Sequence, residues 1–234
     1  GIRDISVTGV QTCALPIWRV DITDADAVAQ LLGGADVVYH AASMVQTSWT
    51  HLDRLRAVNV GGTENLLRAA AAADVARFVY VSSASVVYEG RDIHAGDESL
   101  PYASTTQSPY SDTKIEAERL VHAAHDAAGL RTISIRPHVV YGPGDGRFMP
   151  AIYDRALAGK LTLGVGRDQR LSDFTYIDNL VDALVLADAA LVRDASLGGR
   201  PYFVNDGQPR AFWDFVDAVL VELGLPKTRG RVPF

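Results

Sequence analysis

RFVYV, at residues 77–81, is an apolar run of strand length that leads directly into Ser82 and Ser83. Two runs of the same kind lie on either side of it, DVVYHAA at 36–42 and TISIR at 132–136. Continuous apolar runs of this length are typical of buried parallel strands. Because stretches with helical spacing separate them, the sequence predicts an α/β fold, a parallel sheet with helices on both faces.

The polar and small residues that follow these strands are the first candidates for a binding site. They are Ala41 and Ala42 after the first run, Ser82 and Ser83 after the second, and Pro137 after the third. In open parallel sheets, ligands bind beyond the carboxyl ends of the strands. These residues should therefore lie close together although they are far apart in sequence.

The stretch SPYSDTK, at residues 108–114, contains residues that could transfer a proton. Pro109 suits the first turn of a helix. Tyr110 and Lys114 are four residues apart and share a helix face. A nearby ammonium favours the phenolate form of a tyrosine, whose ordinary pKa is about 10. The pair therefore indicates a proton donor and acceptor for an alcohol or carbonyl oxygen.

The rest of the chain alternates in the same way and becomes less regular after residue 147. The helix from Tyr110 should end at Gly129, and a helix at 27–32 should end at Gly33 and Gly34. Further helices are predicted at 52–73, 149–157, 178–190 and 212–223, and short strands at 161–163, 174–176 and 202–204.

Composition limits the classes of function. The chain has 234 residues, of which 48% are hydrophobic and 21% charged, and its net charge is −6. These values fit a soluble α/β protein and give no sign of a nucleic acid or anionic membrane as partner. We find no apolar run long enough to span a membrane and no signal peptide. The single cysteine, Cys13, and the scattered histidines predict a metal-free protein of the cytoplasm.

The first seventeen residues do not fit the pattern that follows. VTGVQTCALPI, at 7–17, resembles a translated sequencing-library adapter, and GIRD, at 1–4, matches an earlier part of the same primer. Residues 7–9 look like the start of a dinucleotide-binding turn, but the further glycines of such a turn are absent. We expect residues 1–17 to be an artefact, native sequence to begin near Trp18, and the original N-terminal part to be missing.

Taken together, several stretches resemble the extended short-chain dehydrogenase/reductase superfamily and cover nearly all of the chain after residue 17. Within it, the 3β-hydroxysteroid dehydrogenase branch, including sterol-4α-carboxylate 3-dehydrogenases, is the most similar. The stretches are DIT at 21, HAA at 40, NVGGT at 59, VSSASVVYEG at 81, YSDTK at 110, RPHVVYGPGD at 136 and DFTYIDN at 173.

The resemblance implies a Rossmann-like, doubly wound parallel sheet in residues 18–147, truncated at its N-terminus. Residues 148–234 would form a smaller substrate-binding lobe that is incomplete at its C-terminus. The implied activity is hydride transfer between NAD or NADP and the secondary alcohol or ketone of a hydrophobic, sterol-type small molecule. The alternatives are a 2-alkyl-3-ketoalkanoate reductase, a nucleotide-sugar epimerase or dehydratase, and a non-catalytic cofactor-binding scaffold or inactive fragment. A homodimer formed through long helices is common in the family and is expected here.

The resemblance also gives the strand-end and helix residues individual roles. Tyr110 would exchange the proton with the substrate oxygen, and Lys114 would lower the pKa of Tyr110 and hold the ribose hydroxyls of the cofactor. Ser83 would bind the same substrate oxygen, with Ser82 as the neighbouring alternative. Ser83 could instead serve only as a cap at the strand end.

Five further residues fall where the family contacts the cofactor or supports the proton-relay region. Asp21 and Ile22 would contact the adenine, although Asp21 could also be a helix N-cap. Ala41 and Ala42 would let the backbone approach the cofactor, with strand packing as the alternative. Asn59 would organise the proton-relay region, or be only a polar surface residue.

Pro137 and Val140 fall near the nicotinamide, and Val140 could equally belong to the apolar core. His138 is typical of the family at its position, and a structural role is expected for it. An apolar pocket or ordinary core is expected for five residues, which are Met44, Tyr88, Tyr141, Phe148 and Phe174.

The missing glycine-rich turn has two expected consequences. It would remove the best site for the cofactor phosphates, and it leaves the choice between NAD and NADP open. It would also expose one flank of the central sheet, where unpaired strand edges favour aggregation.

Overall fold

The computed structural model describes residues 17–166 and 170–232 of the chain. Almost all of the proposed adapter segment lies outside these residues. The strands, in chain order, are β1 Val37–His40, β2 Arg77–Val81, β3 Arg131–Pro137, β4 Val139–Tyr141, β5 Gly164–Val165, β6 Leu171–Ser172, β7 Phe174–Tyr176, β8 Pro201–Val204, β9 Arg210–Ala211 and β10 Arg231–Val232.

The helices include a long one that begins with the SPYSDTK stretch. In chain order they are α1 Ala25–Ala29, α2 Leu52–Arg56, α3 Gly62–Ala72, α4 Pro109–Ala123, α5 Phe148–Leu157, α6 Ile177–Arg193 and α7 Phe212–Glu222. A π-helical turn, Ala57–Gly61, joins α2 to α3.

The central sheet has four parallel strands in the order β1-β2-β3-β8. The α/β fold and its parallel sheet are thus confirmed. The segment predicted as a smaller lobe shares this sheet, because β8 and α6 both lie within residues 148–234. Among the described residues, β1 pairs only with β2, so its other edge carries no strand.

Side chains of β2 alternate between two apolar layers. Phe78 and Tyr80 are buried with residues of α1, α3 and α4 on one face. Val79 is buried with Leu180 and other residues of α6 on the opposite face. Successive strand residues point to opposite sides of a sheet, so a strand covered on both sides is apolar throughout. This is why RFVYV shows no alternation of apolar and polar residues.

The helix expected at 52–73 is present as one helical run with a π turn in the middle. The predicted ends of two helices were wrong. Helix α1 ends at Ala29, before the glycine pair, and α4 ends at Ala123, before a short 3₁₀ turn that reaches Gly129. The strand expected at 161–163 was also wrong. The strand there is β5, which lies just after these residues because its partner, β10, pairs with Gly164 and Val165.

Gly62 is the second of two adjacent glycines at the start of α3, and a side chain at this position would collide with Ile22. A Cβ atom at Gly62 would lie 2.5 Å from Cδ1 and 2.6 Å from Cγ1 of Ile22, whereas one at Gly61 would meet nothing within 4 Å. The side chain of Ile22 therefore rests on the helix backbone at Gly62. The Asn65 side chain, one turn further along, donates a hydrogen bond of 3.0 Å to the Ile22 carbonyl.

We expect Gly62→Ala to lower the free energy of unfolding by about 1–3 kcal/mol, because the added methyl group must displace Ile22. Gly61→Ala is the matched control and should raise the free energy of unfolding by about 0.4–1 kcal/mol, since its helical backbone accepts alanine. Urea unfolding of both variants measures the difference. Equal effects of the two substitutions would contradict the close approach of Ile22.

None of the helices in the described part of the chain is both long and apolar enough to cross a membrane.

Candidate active site

The predicted strand-end residues do meet at one edge of the sheet. Ser82 and Ser83 follow β2 directly, and Pro137 is the last residue of β3, the neighbouring strand. Ala41 and Ala42 follow β1 and are exposed in the described structure. The described structure leaves the small side chains of Ala41 and Ala42 uncovered, and their contact with a cofactor stays a prediction.

Tyr110 faces this edge from the first turn of α4. Ser108 caps the helix by accepting from the Ser111 amide, and Pro109 occupies the first turn as predicted. The side chain of Tyr110 lies near Ser83 and Ser43, since interaction with these two side chains lowers its pKa. Ser83 also caps the short 3₁₀ turn that follows it, by accepting from the Ser85 amide at 3.2 Å. The capping and substrate-binding roles foreseen for Ser83 are thus compatible.

Burial raises the pKa of Tyr110, and hydrogen bonding to Ser83, the positive charge of Arg147 and hydrogen bonding to Ser43 act in the opposite direction. The net pKa of Tyr110 is above its ordinary value, so its phenol carries a proton at neutral pH. In this state the residue can donate a proton to a carbonyl oxygen. The groups that favour the phenolate come from three different segments of the chain.

Lys114 lies one turn further along α4 and is only 2% exposed. Its ammonium donates to the Val81 carbonyl at 2.7 Å and to the Tyr80 hydroxyl at 3.3 Å. It lies 4.7 Å from the Tyr80 ring centroid and 5.9 Å from that of Tyr110. Burial lowers the pKa of Lys114 to about 7, and the nearby Glu118 carboxylate opposes this effect.

The arrangement of Lys114 differs from the sequence-based expectation. The expected effect of Lys114 on the pKa of Tyr110 stays a prediction, and the groups found to lower that pKa are Ser83, Arg147 and Ser43. A four-residue spacing places the two side chains on one helix face without fixing where their polar ends point. Lys114 instead turns its ammonium to the end of β2, where one of its three N–H groups remains available.

Asn59 holds the loop after β1 against α4 and is 2% exposed. Its Oδ1 accepts from the Met44 amide at 2.7 Å and from Ser43 Oγ at 3.2 Å. Its Nδ2 donates to the Met44 carbonyl at 2.9 Å and to Thr113 Oγ1 at 2.9 Å. The alternative of a polar surface residue was therefore wrong. Asn59 lies within the π turn, a feature often found at functional sites.

His40 ends β1 beneath this loop and is a buried structural residue. Its Nε2 lies 2.9 Å from Thr63 Oγ1. The Thr63 hydroxyl donates its only proton to the Asn59 carbonyl at 2.6 Å, so His40 Nε2 must be the donor. Burial and the charge of Lys114 lower the pKa of His40 to about 3. The ring is consequently neutral over the whole range in which enzymes normally work.

The lowered pKa of His40 predicts loss of stability in acid. An unfolded histidine binds a proton near pH 6.5, whereas the folded ring resists protonation until about pH 3. Stability should therefore fall as the pH drops below 6.5, by about 2 kcal/mol between pH 7 and pH 5 on account of this group. Urea unfolding at both pH values, on the wild type and on His40→Gln, measures the effect. The pH-dependent loss should be smaller by that amount in the variant.

The remaining predicted cofactor contacts lie at the edges of this region. Asp21 is exposed and accepts from the amide and hydroxyl of Thr23, which lowers its pKa. Its alternative role as a helix N-cap was wrong, because Asp24 caps α1. Val140 packs against the apolar cluster beneath α6, which agrees with the alternative that it belongs to the apolar core.

Three side-chain polar atoms at or near this edge are buried without a hydrogen-bond partner among the described residues. They are Ser82 Oγ, Arg136 Nη1 and His138 Nδ1. A buried hydroxyl is normally satisfied, so the unpaired Ser82 Oγ at the end of β2 fits a polar ligand that reaches this position. The unpaired Nδ1 of His138 does not agree with the fully satisfied structural role expected for that residue.

A cavity of about 400 Å³ lies in the second half of the chain. Tyr141 and Phe174, two of the five residues predicted for an apolar pocket, contribute to its wall. The full lining is Tyr141, Phe174, Tyr176, Asn179, Asp206, Gln208, Arg210 and Phe215. Asp206 lies on the polar side of the cavity. Its Oδ2 accepts from the Tyr141 hydroxyl and its Oδ1 from Asn179 Nδ2.

Ser43 and Arg147 were not predicted from the sequence as residues of the site. Both lie in loops, Ser43 after β1 and Arg147 just before α5, where no periodic pattern marks a position. For Ser43, the HAA stretch immediately before it was the available signal. The described residues contain no group of three or more His, Cys, Asp or Glu that could hold a metal ion.

Known proteins are similar to this chain in sequence and in structure. The model of the 3-beta hydroxysteroid dehydrogenase/isomerase family matches residues 3–233. A 3 beta-hydroxysteroid dehydrogenase/Delta 5-->4-isomerase of Mycobacterium tuberculosis is 41% identical over 223 residues, which are 92% of this chain and 60% of the relative. A 2-alkyl-3-oxoalkanoate reductase of Stenotrophomonas maltophilia is 36% identical over 220 residues, 92% of this chain and 65% of the relative.

Among solved structures, a protein in complex with UDP-glucose and NAD (MoeE5) matches with a TM-score of 0.75 and 30% sequence identity. The match covers 92% of this chain and 71% of that structure. The chain thus spans about three fifths of the length of the first curated relative and about seven tenths of this structure.

Proposed function

The chain belongs to the 3-beta hydroxysteroid dehydrogenase/isomerase family, and from this premise we propose that it is a nicotinamide-dependent oxidoreductase. It would interconvert a secondary alcohol and a ketone on a hydrophobic, sterol-type molecule. The observation that carries the proposal is the meeting of Ser83, Tyr110 and Lys114 at the carboxyl ends of parallel strands.

In ketone reduction, Tyr110 donates its proton to the substrate oxygen. Its raised pKa keeps the phenol protonated at neutral pH. The Ser83 hydroxyl donates to Ser85 Oγ at 2.9 Å in the structure. It would turn to donate to the substrate oxygen and stabilise the charge that develops on it. In the reverse direction the phenol must first lose its proton, so alcohol oxidation should be favoured by higher pH.

Lys114 and Asn59 support this pair rather than touch the substrate oxygen. Lys114 places a buried positive charge beside Tyr80 and the end of β2. Asn59 fixes Ser43 and, through Thr113, the backbone of Tyr110, whose carbonyl accepts from Thr113 Oγ1 at 2.8 Å. The proton donor is thus held from both the loop and the helix, which reduces the cost of orienting it.

The residues at this edge fit a nicotinamide cofactor, NAD or NADP, which would supply or accept the hydride. Lys114 has a free N–H group for its ribose hydroxyls, and the unpaired Ser82 Oγ is available beside it. Ala41 and Ala42 leave the backbone of the loop after β1 open to a ligand. Asp21 and Ile22 would contact the adenine, and Pro137 and Val140 would lie near the nicotinamide.

The test is a turnover assay of this chain with a neutral 3β-hydroxysteroid, a 2-alkyl-3-hydroxy acid and either nicotinamide cofactor, followed by nicotinamide absorbance. Oxidation of a secondary alcohol is the expected result. Tight binding of NAD or NADP without turnover of any alcohol would favour the non-catalytic scaffold instead.

A second candidate is a nucleotide-sugar enzyme, which the solved relative in complex with UDP-glucose favours. The same assay decides between the two, because UDP-glucose would then be bound or converted and the hydrophobic alcohols would not. A homodimer, expected from the family resemblance, and a place in the cytoplasm, expected from the composition, belong to the proposal.

A further inference from the structure

Tyr80 is a buried tyrosine of β2 that the proposed reaction does not use. Its side chain is only 1% exposed and lies in the apolar layer that α1, α3 and α4 form on one face of the sheet. Burial raises the pKa of Tyr80 well above its ordinary value. The phenol therefore stays neutral and cannot exchange protons with a substrate. A phenylalanine would fill this apolar position equally well, so the hydroxyl must serve another purpose.

The hydroxyl of Tyr80 meets the ammonium group of Lys114. Lys114 Nζ donates to it at 3.3 Å and to the Val81 carbonyl at 2.7 Å. Nζ also lies over the Tyr80 ring, 4.7 Å from its centroid. This is within the distance at which an aromatic face attracts a cation. Tyr80 thus contacts the ammonium with both its hydroxyl and its ring.

The two hydrogen bonds together determine the direction of the third N–H group of Lys114. The ammonium carries three donors on a flexible stem, and the single bond to the Val81 carbonyl would let it turn about that bond. With the Tyr80 hydroxyl as a second acceptor, the remaining N–H must point away from both. Nζ lies 5.9 Å from the ring centroid of Tyr110, so the oriented ammonium stays beside the proton donor.

Contacts from β1 and α3 support Tyr80 from behind. The ring centroid of His40 lies 5.3 Å from that of Tyr80. His40 Nε2 lies 2.9 Å from Thr63 Oγ1, and the Thr63 hydroxyl donates to the Asn59 carbonyl at 2.6 Å. A continuous chain of contacts therefore joins Lys114 to Asn59 beneath the site, and Tyr80 is the member that touches Lys114.

Neutral acceptors hold the charge of Lys114. No ion pair joins it to a carboxylate in the part of the chain that the structure describes. Glu118, one helical turn further along, is instead paired with Arg136 of β3. The titratable groups that face Lys114 from the elements around it are His40 of β1, Tyr80 of β2, and Tyr110 and Glu118 of α4.

We propose that Tyr80 is a positioning residue of the active site, which holds the ammonium of Lys114 so that one N–H stays free for the ribose hydroxyls of a nicotinamide cofactor. Tyr80 acts through Lys114 and touches neither the substrate nor the reacting atoms. The inference rests on the proposed function in naming the cofactor, whereas the anchoring of Lys114 is a property of the chain alone.

The composition of the chain allows a direct measurement, because its lysines are Lys114, Lys160 and Lys227. Lysine labelled with 13C at Cε gives one NMR signal for each of them, and the shift of each signal reports the charge of its ammonium. Lys160 and Lys227 are exposed, so Lys160→Arg and Lys227→Arg assign the signals without disturbing the core. The signal of Lys114 should titrate at a pH of about 7.

Tyr80→Phe should lower the titration midpoint of Lys114 by about one pH unit, a tenfold change in the protonation equilibrium. The ammonium loses a hydroxyl that accepts its hydrogen bond, and a hydrogen bond to the charged form is what favours that form. The Kd of NAD or NADP at pH 7, measured by calorimetry, should rise roughly three- to tenfold, because the third N–H is no longer oriented.

Tyr202→Phe is the matched control. Tyr202 lies on β8 of the same sheet, and its hydroxyl donates to the Leu197 carbonyl at 3.1 Å. The control also removes one hydroxyl from a tyrosine of the sheet, and it should leave the midpoint of Lys114 and the Kd of the cofactor unchanged. In the wild type, a nuclear Overhauser effect should connect the Cε protons of Lys114 with the ring protons of Tyr80, whether or not Tyr80→Phe folds.

An unchanged midpoint in Tyr80→Phe would overturn the proposal, and a lower stability of that variant alone would mean that Tyr80 only packs β2 against α4. An equal shift in Tyr202→Phe, or the absence of the Overhauser effect in the wild type, would also overturn it. So would a shifted midpoint with an unchanged Kd of the cofactor, because the free N–H would then not bind the ribose.

The inference and the proposed function fail in different ways, because the titration of Lys114 needs neither cofactor nor substrate. If the midpoint shifts in Tyr80→Phe but the wild type oxidises no alcohol, the anchoring of Lys114 stands and the oxidoreductase function is wrong. If the wild type oxidises alcohols and the midpoint is the same in Tyr80→Phe, the function stands and the role of Tyr80 is wrong.

Discussion

Tyr110→Phe should reduce kcat by on the order of a thousandfold in both reaction directions. The substitution removes the hydroxyl that exchanges the proton, and positioned proton transfer contributes roughly a hundred- to ten-thousandfold to catalysis. The affinity for NAD or NADP should change little, because Lys114 and Ser82 remain in place. Steady-state kinetics together with titration of the cofactor measure both quantities.

The pH dependence should identify the same group. Because the pKa of Tyr110 is raised by burial, ketone reduction should hold over neutral pH and fall at alkaline pH as the phenol loses its proton. Alcohol oxidation should rise over the same range, since it needs the phenolate. The residual rate of Tyr110→Phe should lack this dependence in both directions.

Tyr153→Phe is the matched control, because Tyr153 lies on α5 and is 38% exposed. It should keep the wild-type kcat. Ser83→Ala should lose less than Tyr110→Phe, about a hundredfold, as expected for one donor to a developing oxyanion. Wild-type turnover by Tyr110→Phe would mean that another group transfers the proton.

Three strands of the main sheet, β1, β2 and β3, could be predicted from sequence because each lies in a continuous apolar run. Covered strands such as β2 need several consecutive apolar residues, and these stand out from the polar turns between them. The strands β5, β6, β9 and β10 have two residues each. No periodicity can appear in two residues, so pairings such as Gly164 with Arg231 could not be foreseen.

The active site could be predicted in its chemistry but not in its contacts. The spacing of Tyr110 and Lys114 placed both on one face of α4, yet the direction of the ammonium depended on the Val81 carbonyl and the Tyr80 hydroxyl. Arg147 is fixed by the Val45 carbonyl, a group that every residue has. Contacts between a side chain and the backbone of a distant loop cannot be predicted from residue types, because every residue has the same backbone groups.

The second large effect is expected from the ion pair between Glu118 and Arg136, which lies inside the protein. The Glu118 side chain is fully buried and that of Arg136 is 3% exposed. Nη2 of Arg136 lies 2.5 Å from Oε1 of Glu118, and Nε lies 3.1 and 3.2 Å from the two carboxylate oxygens. The guanidinium is also 5.4 Å from the Tyr102 ring centroid and 5.3 Å from that of Phe203.

Glu118→Gln should lower the free energy of unfolding by about 3–5 kcal/mol, because it leaves Arg136 buried without its counter-ion. A loss of this size is a large part of the total stability of an ordinary domain. Urea unfolding at neutral pH measures it. The charge of Glu118 also opposes the lowering of the Lys114 pKa, so the variant should hold more Lys114 in the neutral form at pH 7.

Glu116→Gln is the control on the same helix, because Glu116 pairs with Arg56 where both side chains are in contact with water. It should cost less than about 1 kcal/mol, as exposed ion pairs usually do. The double variant Glu118→Leu with Arg136→Met should regain most of the loss, since apolar residues of similar size remove both buried charges together. A loss in Glu118→Gln no larger than that in Glu116→Gln would mean that the buried charge of Glu118 has little part in the stability of the protein, because glutamine keeps the shape of the side chain.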